Sequence, residues 1–110
     1  MDLARRLAAS YGFRADFFWQ PFIYSKRPVK GEEQAVASFG TDPDAWTRAS
    51  RLARAHLAPG VVDLSTALDG TKAPVMYDFV HTNEQGARVI AQALYARVRP
   101  QLLELAGKRP

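Results

Sequence analysis

With 110 residues the chain has room for one small domain, and a hydrophobic content of 47% places it among globular rather than disordered sequences. It has no cysteine, which excludes disulfides, thiolate metal sites and a cysteine nucleophile, and its two histidines, His56 and His81, are too few for the usual three-ligand catalytic zinc site. A net charge of +4 permits nucleic-acid binding. However, Arg5, Arg14, Arg48, Arg51, Arg54, Arg88, Arg97 and Lys108 are spread along polar faces rather than clustered, so nucleic acid is an unlikely partner and solvated helix faces account for the charge better. No apolar run approaches the roughly 20 residues needed to span a bilayer, and residues 1–6 lack the apolar core of a signal peptide.

In chain order, residues 2–11 read as a helix with Leu3, Leu7 and Tyr11 spaced by four, stopped by Gly12 where a left-handed cap is wanted. Residues 15–20, with Phe17-Phe18-Trp19 at their centre and Pro21 after them, lack alternation and predict a strand buried on both faces, as in a parallel sheet. The stretch 22–31 reads as a loop in which Lys26, Arg27 and Lys30 are solvated or face an anionic substrate. A helical turn is expected over 32–38. Asp42-Pro43 is a helix start, with Asp as N-cap and Pro at the first helical position. Trp46, Ala49, Leu52/Ala53 and His56/Leu57 then make one apolar stripe, and Pro59-Gly60 ends the helix. Residues 61–64 form a second buried strand, and a helical crossover between two apolar strands implies that they are parallel. A loop over 65–74 follows. Thr82-Asn83-Glu84-Gln85 has the form of a capping box with Thr82 at the N-cap. The helix after it carries a stripe of Ala87, Ile90/Ala91, Leu94 and Val98, and Pro100 is expected to kink or end it.

Chemistry concentrates at Asp78-Phe79-Val80-His81, at the mouth of that last helix. A carboxylate three residues before a histidine can accept a hydrogen bond from one ring nitrogen, fix the tautomer and stabilise the imidazolium, while the other nitrogen takes a proton from a nucleophile. The plainer alternative is that Asp78 caps a loop and His81 precedes a capped helix. No Gly-Asp-Ser or Gly-x-Ser-x-Gly accompanies the pair. Ser10, Ser25, Ser38, Ser50 and Ser65 are the candidate hydroxyls, and none stands on a glycine-flanked strand-to-helix turn. Asp63, at the carboxyl end of a strand, reads first as a cap on the turn that follows, and His56 as structural.

The order strand, loop, helix, strand, Asp-x-x-His, helix resembles the C-terminal part of the SGNH (GDSL-like) hydrolases. Their last block carries the catalytic Asp and His three apart, followed by a helix of the form N-x-x-G-x-x-x-[IV]-A, matched here by Asn83, Gly86, Ile90 and Ala91. Phe18-Trp19-Gln20-Pro21, then Lys26 and Glu32-Glu33, is similar to the strand and loop before that block in some bacterial members. The resemblance covers most of residues 10–99. The family's Gly-Asp-Ser, Gly and Gly-x-Asn blocks have no counterpart, so its serine and oxyanion-hole donors map onto no residue here.

The resemblance implies an α/β fold, a parallel sheet flanked by helices, forming the C-terminal half of a flavodoxin-like SGNH hydrolase domain, with residues 1–110 a single partial domain. It implies ester hydrolysis or acyl transfer on an ester-type small molecule or an acylated carbohydrate. His81 would act as base and then acid, Asp78 would orient it, and no metal or organic cofactor is implied. The alternative is a non-catalytic truncated relative acting as an interaction or assembly module. Two short parallel strands rarely stand alone, so association is expected at the aromatic strand, either as a homodimer or with a missing N-terminal segment, the alternative being a compact monomer in which residues 2–11 fold over the exposed side.

Overall fold

Local signals place most of the elements in the computed structural model, which describes residues 1–40 and 42–107; Lys108, one of the dispersed cations, lies outside the described residues. Helix α1 spans Asp2–Tyr11 and ends at Gly12, whose φ of 69° is open to glycine at no steric cost and whose N–H donates to Ala8 O. Of this helix only Ala8 is buried. Leu3 and Tyr11 are 72% and 77% exposed. Arg5 fastens α1 to the body: its guanidinium donates to Pro59 O and lies over the Phe17 ring at 5.6 Å.

Strands β1 (Phe17–Trp19) and β2 (Val61–Asp63) pair in parallel, with Phe17 opposite Val61 and Trp19 opposite Asp63. The pairing and the helical crossover agree with the expected coarse α/β class. The strands are shorter than the predicted 15–20 and 61–64 and are half-buried, not buried on both faces. The cause is the extent of the sheet: among the described residues it has two strands only, too few to be covered on both sides.

The predicted loop after β1 contains a 3₁₀ turn at Ile23–Ser25, and the turn expected over 32–38 is helix α2 (Glu33–Ala37). Helix α3 (Pro43–Ala55) begins as the sequence indicates, with Asp42 Oδ1 accepting from Ala45 N at 2.8 Å. It ends earlier than Pro59-Gly60, with His56 as its C-cap. Its apolar stripe is not its buried face. Ser50 is buried, whereas Trp46 and Leu52 are 37% and 63% exposed, because the two-stranded sheet does not extend under that side.

The core lies beyond the strands, in Ile23, Tyr24, Ala35, Leu68, Val75 and Met76, with Phe22, Phe79, Val89 and Ile90 packed against it. Helix α4 spans Glu84–Gly107. Its N-cap is Asn83, whose Oδ1 accepts from Gly86 N at 3.0 Å, and not Thr82. Thr82 is engaged one step earlier, in an antiparallel bridge to Met76. Ala87 and Leu94 face solvent, while Val89, Ile90 and Ala93 turn inward. The helix also continues through Pro100, which removes one i→i−4 bond without stopping its neighbours.

Gly86 is required by space. A Cβ there would stand 2.8 Å from Thr82 Cβ and 3.1 Å from Val75 Cβ. Gly86→Ala is expected to cost about 1–3 kcal/mol through this overpacking, read as a lowered midpoint in urea; an unchanged midpoint would show that the helix start can shift freely.

Candidate functional site

The residues around the Asp-x-x-His motif form a short hairpin. Val75–Met76 and Thr82–Asn83 are its arms, joined by the Met76–Thr82 bridge, by Asn83 N to Val75 O at 2.8 Å and by Tyr77 N to His81 O at 2.8 Å. Residues 77–81 make the tip. Ile23 N donates to Phe79 O at 2.9 Å, which ties the tip to the segment leaving the carboxyl end of β1.

Within the tip, Asp78 and His81 meet. Asp78 Oδ1 accepts from Val80 N at 2.9 Å and His81 N at 2.8 Å, and Asp78 Oδ2 lies 2.8 Å from His81 Nδ1. One oxygen of the carboxylate thus caps the loop and the other faces the imidazole. The His81 and Val80 backbone N–H groups, with the His81 ring, hold the Asp78 carboxyl down from its ordinary 3.8 to about 2. It is thus ionised at neutral pH. An ionised carboxylate facing Nδ1 favours the tautomer with its proton there, leaving Nε2 as a base. The His81 side chain is 75% exposed, and among the described residues its ring has no hydrogen-bond partner other than Asp78.

No serine completes the arrangement among the described residues. Ser10 is exposed on α1. Ser25 Oγ donates toward Phe22 O and Ser65 O, and Ser38 Oγ donates to Ala35 O. Ser50 is buried with a hydroxyl that has no partner, and Ser65 is buried beside Asp63. None is hydrogen-bonded to His81. Phe79 and Val80, the residues between carboxylate and imidazole, instead line an apolar cavity of about 480 Å³ with Phe18, Trp19, Phe39 and Trp46. Phe39 stacks on Phe79 at 4.1 Å. These aromatics form a half-covered surface, not the enclosed strand core that their sequence predicts.

The other singled-out groups are structural. Asp63 caps its turn through Ser65 N at 2.8 Å and pairs with Arg54 at 3.0 Å. Its partial burial, which raises a carboxyl, is outweighed by Ser65 and Arg54, so it sits below the ordinary value. His56 Nδ1 bonds Leu52 O at 2.9 Å, closing the end of α3.

Lys26 departs from the expectation of a solvated or substrate-facing cation. It is buried, with Nζ donating to both oxygens of Glu32 at 2.8 and 2.6 Å, and the two side chains are 1% and 0% exposed. Glu32 also accepts from Val29 N at 3.0 Å, Val75 N at 2.9 Å and Met76 N at 3.1 Å. Burial alone would raise its carboxyl, but Lys26 and the backbone donors bring it below the ordinary value. Arg27 and Lys30 are exposed as expected.

No protein-family model matches this chain, and neither a curated protein nor a solved structure matches it. Among the described residues no helix is long and apolar enough to cross a membrane.

Proposed function

We propose that this chain supplies the His–Asp part of an SGNH-type ester hydrolase or acyl transferase, acting on an ester-type small molecule or an acylated carbohydrate. The observation that carries the proposal is the 2.8 Å approach of Asp78 Oδ2 to His81 Nδ1, on an ordered hairpin that leaves the far ring nitrogen open to solvent. In the proposed chemistry His81 Nε2 accepts the proton of a serine as its oxygen attacks the ester carbonyl. The imidazolium, steadied by Asp78, then returns that proton to the leaving alkoxide. The serine and the oxyanion donors come from a segment or chain that completes the sheet beside β1.

A second reading is supported by a different observation. The described serines all lie off the His81 ring, and Phe39 and Trp46 remain 39% and 37% exposed beside the cavity. A non-catalytic module that docks a partner over these aromatics, a second copy of the chain included, fits the same surface.

The isolated chain separates the two sources of activity. It is expected to hydrolyse a short-chain aryl ester no faster than its His81→Ala variant and to remain unlabelled by a fluorophosphonate. Turnover that His81→Ala removes would mean that one of the five serines reaches the imidazole.

A further inference from the structure

We propose that Glu32, charged and held in place by Lys26, is the positioning residue for the Asp78–His81 pair. The inference rests on the hydrolase reading for the importance of that pair, but its geometry is independent of any reaction. Two of the backbone donors that Glu32 satisfies, Val75 N and Met76 N, belong to the hairpin arm that leads into Asp78. Both residues are buried, at 0% and 5% exposure, so water cannot take over those bonds. The same carboxylate bonds Val29 N on its other side and receives two contacts from Lys26. One ionised group therefore ties the segment after β1 to the base of the hairpin across 43 residues of sequence.

A full turn-cap would need fewer bonds than this. With Met76 fixed, the Met76–Thr82 bridge fixes Thr82, and the Tyr77 N to His81 O bond sets the distance between the ends of the tip. Asp78 and His81 are then confined to a five-residue arc, in which the Val80 and His81 N–H groups hold Asp78 Oδ1 and the closed ends of the arc bring Oδ2 to 2.8 Å from His81 Nδ1. Charge-assisted bonds are about twice as strong as neutral ones, so a neutral amide at position 32 would hold the arm less firmly. The cation matters in turn because an unpaired carboxylate would not stay ionised in that core.

The two histidines provide the test. Each ring presents Nδ1 to an acceptor, His81 to Asp78 and His56 to Leu52 O. In the ¹⁵N-labelled chain, long-range ¹H–¹⁵N spectra of both imidazole rings are recorded over a pH series, and the tautomers are read at its neutral-ring plateau. His81→Gln assigns the signals. In the wild type both rings are expected to carry the proton on Nδ1. In Glu32→Gln the His81 nitrogens are expected to move to averaged shifts of mixed tautomers, while His56 keeps its pattern and so reports an intact fold. If Glu32→Gln does not fold, the double variant Lys26→Gln with Glu32→Gln, which leaves no buried charge, is read in its place. A folded variant in which His81 retains its Nδ1 proton overturns the proposal, as does failure of both variants to fold, which would make the pair a support of the whole domain. None of these outcomes depends on turnover, so a chain that never hydrolyses an ester sinks the hydrolase reading while leaving this result standing.

Discussion

Lys26→Met is expected to destabilise the protein by about 3–5 kcal/mol, the usual cost of removing one partner of a buried ion pair. In a domain of this size that is a large fraction of the available stability, which is on the order of 5–15 kcal/mol. The loss comes from the carboxylate left behind. Glu32 is 0% exposed, and without the ammonium its charge is met only by three backbone N–H groups. The pH dependence follows from the same geometry. The wild-type Glu32 carboxyl lies below the 4.5 it has when unfolded, so the native state binds fewer protons there. Its contribution is complete above pH 4.5 and is lost as pH falls through the lower, native value. In Lys26→Met the carboxylate is relieved by taking up a proton. The gap between variant and wild type should therefore narrow on acidification, beginning above pH 4.5 as the variant's unpaired, buried carboxylate takes up its proton and continuing below 4.5 as the wild type loses its own contribution. Urea unfolding at neutral and acidic pH measures both. A gap under about 1 kcal/mol at neutral pH would place the pair in the class of surface ion pairs.

On the proposed hydrolase reading, His81→Ala is expected to lower kcat on the order of 10⁴–10⁶-fold once a serine is supplied, the range seen when the base of a serine triad is removed. That reading is tested on the chain joined, in cis or as a second polypeptide, to a segment carrying a Gly-Asp-Ser block and designed to pair with β1. Asp78→Asn should cost on the order of 10⁴-fold, because an amide nitrogen facing Nδ1 favours the tautomer that cannot accept the serine proton. Both effects belong in kcat rather than KM, since neither group binds the ester in its ground state. A well-folded complex with no ester turnover, or one indifferent to His81→Ala, would transfer the protein to the interaction-module reading.

The parts of this molecule that were legible in its sequence are those decided within a few residues. Asp42 before Pro43 and Gly12 after a helical run each act over three or four positions, and each appears where local chemistry puts it; the Asp78–His81 spacing lets the two side chains meet, while the hairpin that carries them is tied down from Glu32. Thr82 and Asn83 are both good caps. Asn83 takes the role because the bridge to Met76 claims Thr82, and that competition involves a strand that no cap signal reports. Lys26 was the hardest to read. A lysine in a polar loop is normally solvated, and its burial depends on Glu32, which in turn depends on amides 43 and 44 residues away. The six-residue spacing of Lys26 and Glu32 is the one signal of that pairing in the sequence. The exposure of Trp46 and Leu52 was likewise unreadable, because periodicity identifies an apolar face without saying how far the sheet reaches beneath it.

The long ties that assemble the hairpin also set the order of events during synthesis. Phe17 pairs with Val61, Arg5 reaches Pro59, Glu32 reaches Val75, and Ile23 reaches Phe79. Loop closure over such separations is slow, and little local reward precedes it. On the ribosome Phe17, Phe18 and Trp19 emerge and wait, unpaired, until β2 has been made. Glu32 and Lys26 wait longer, for Val75. For that interval the nascent chain presents an aromatic strand with no strand beside it, the kind of exposed apolar surface on which aggregation and chaperones act.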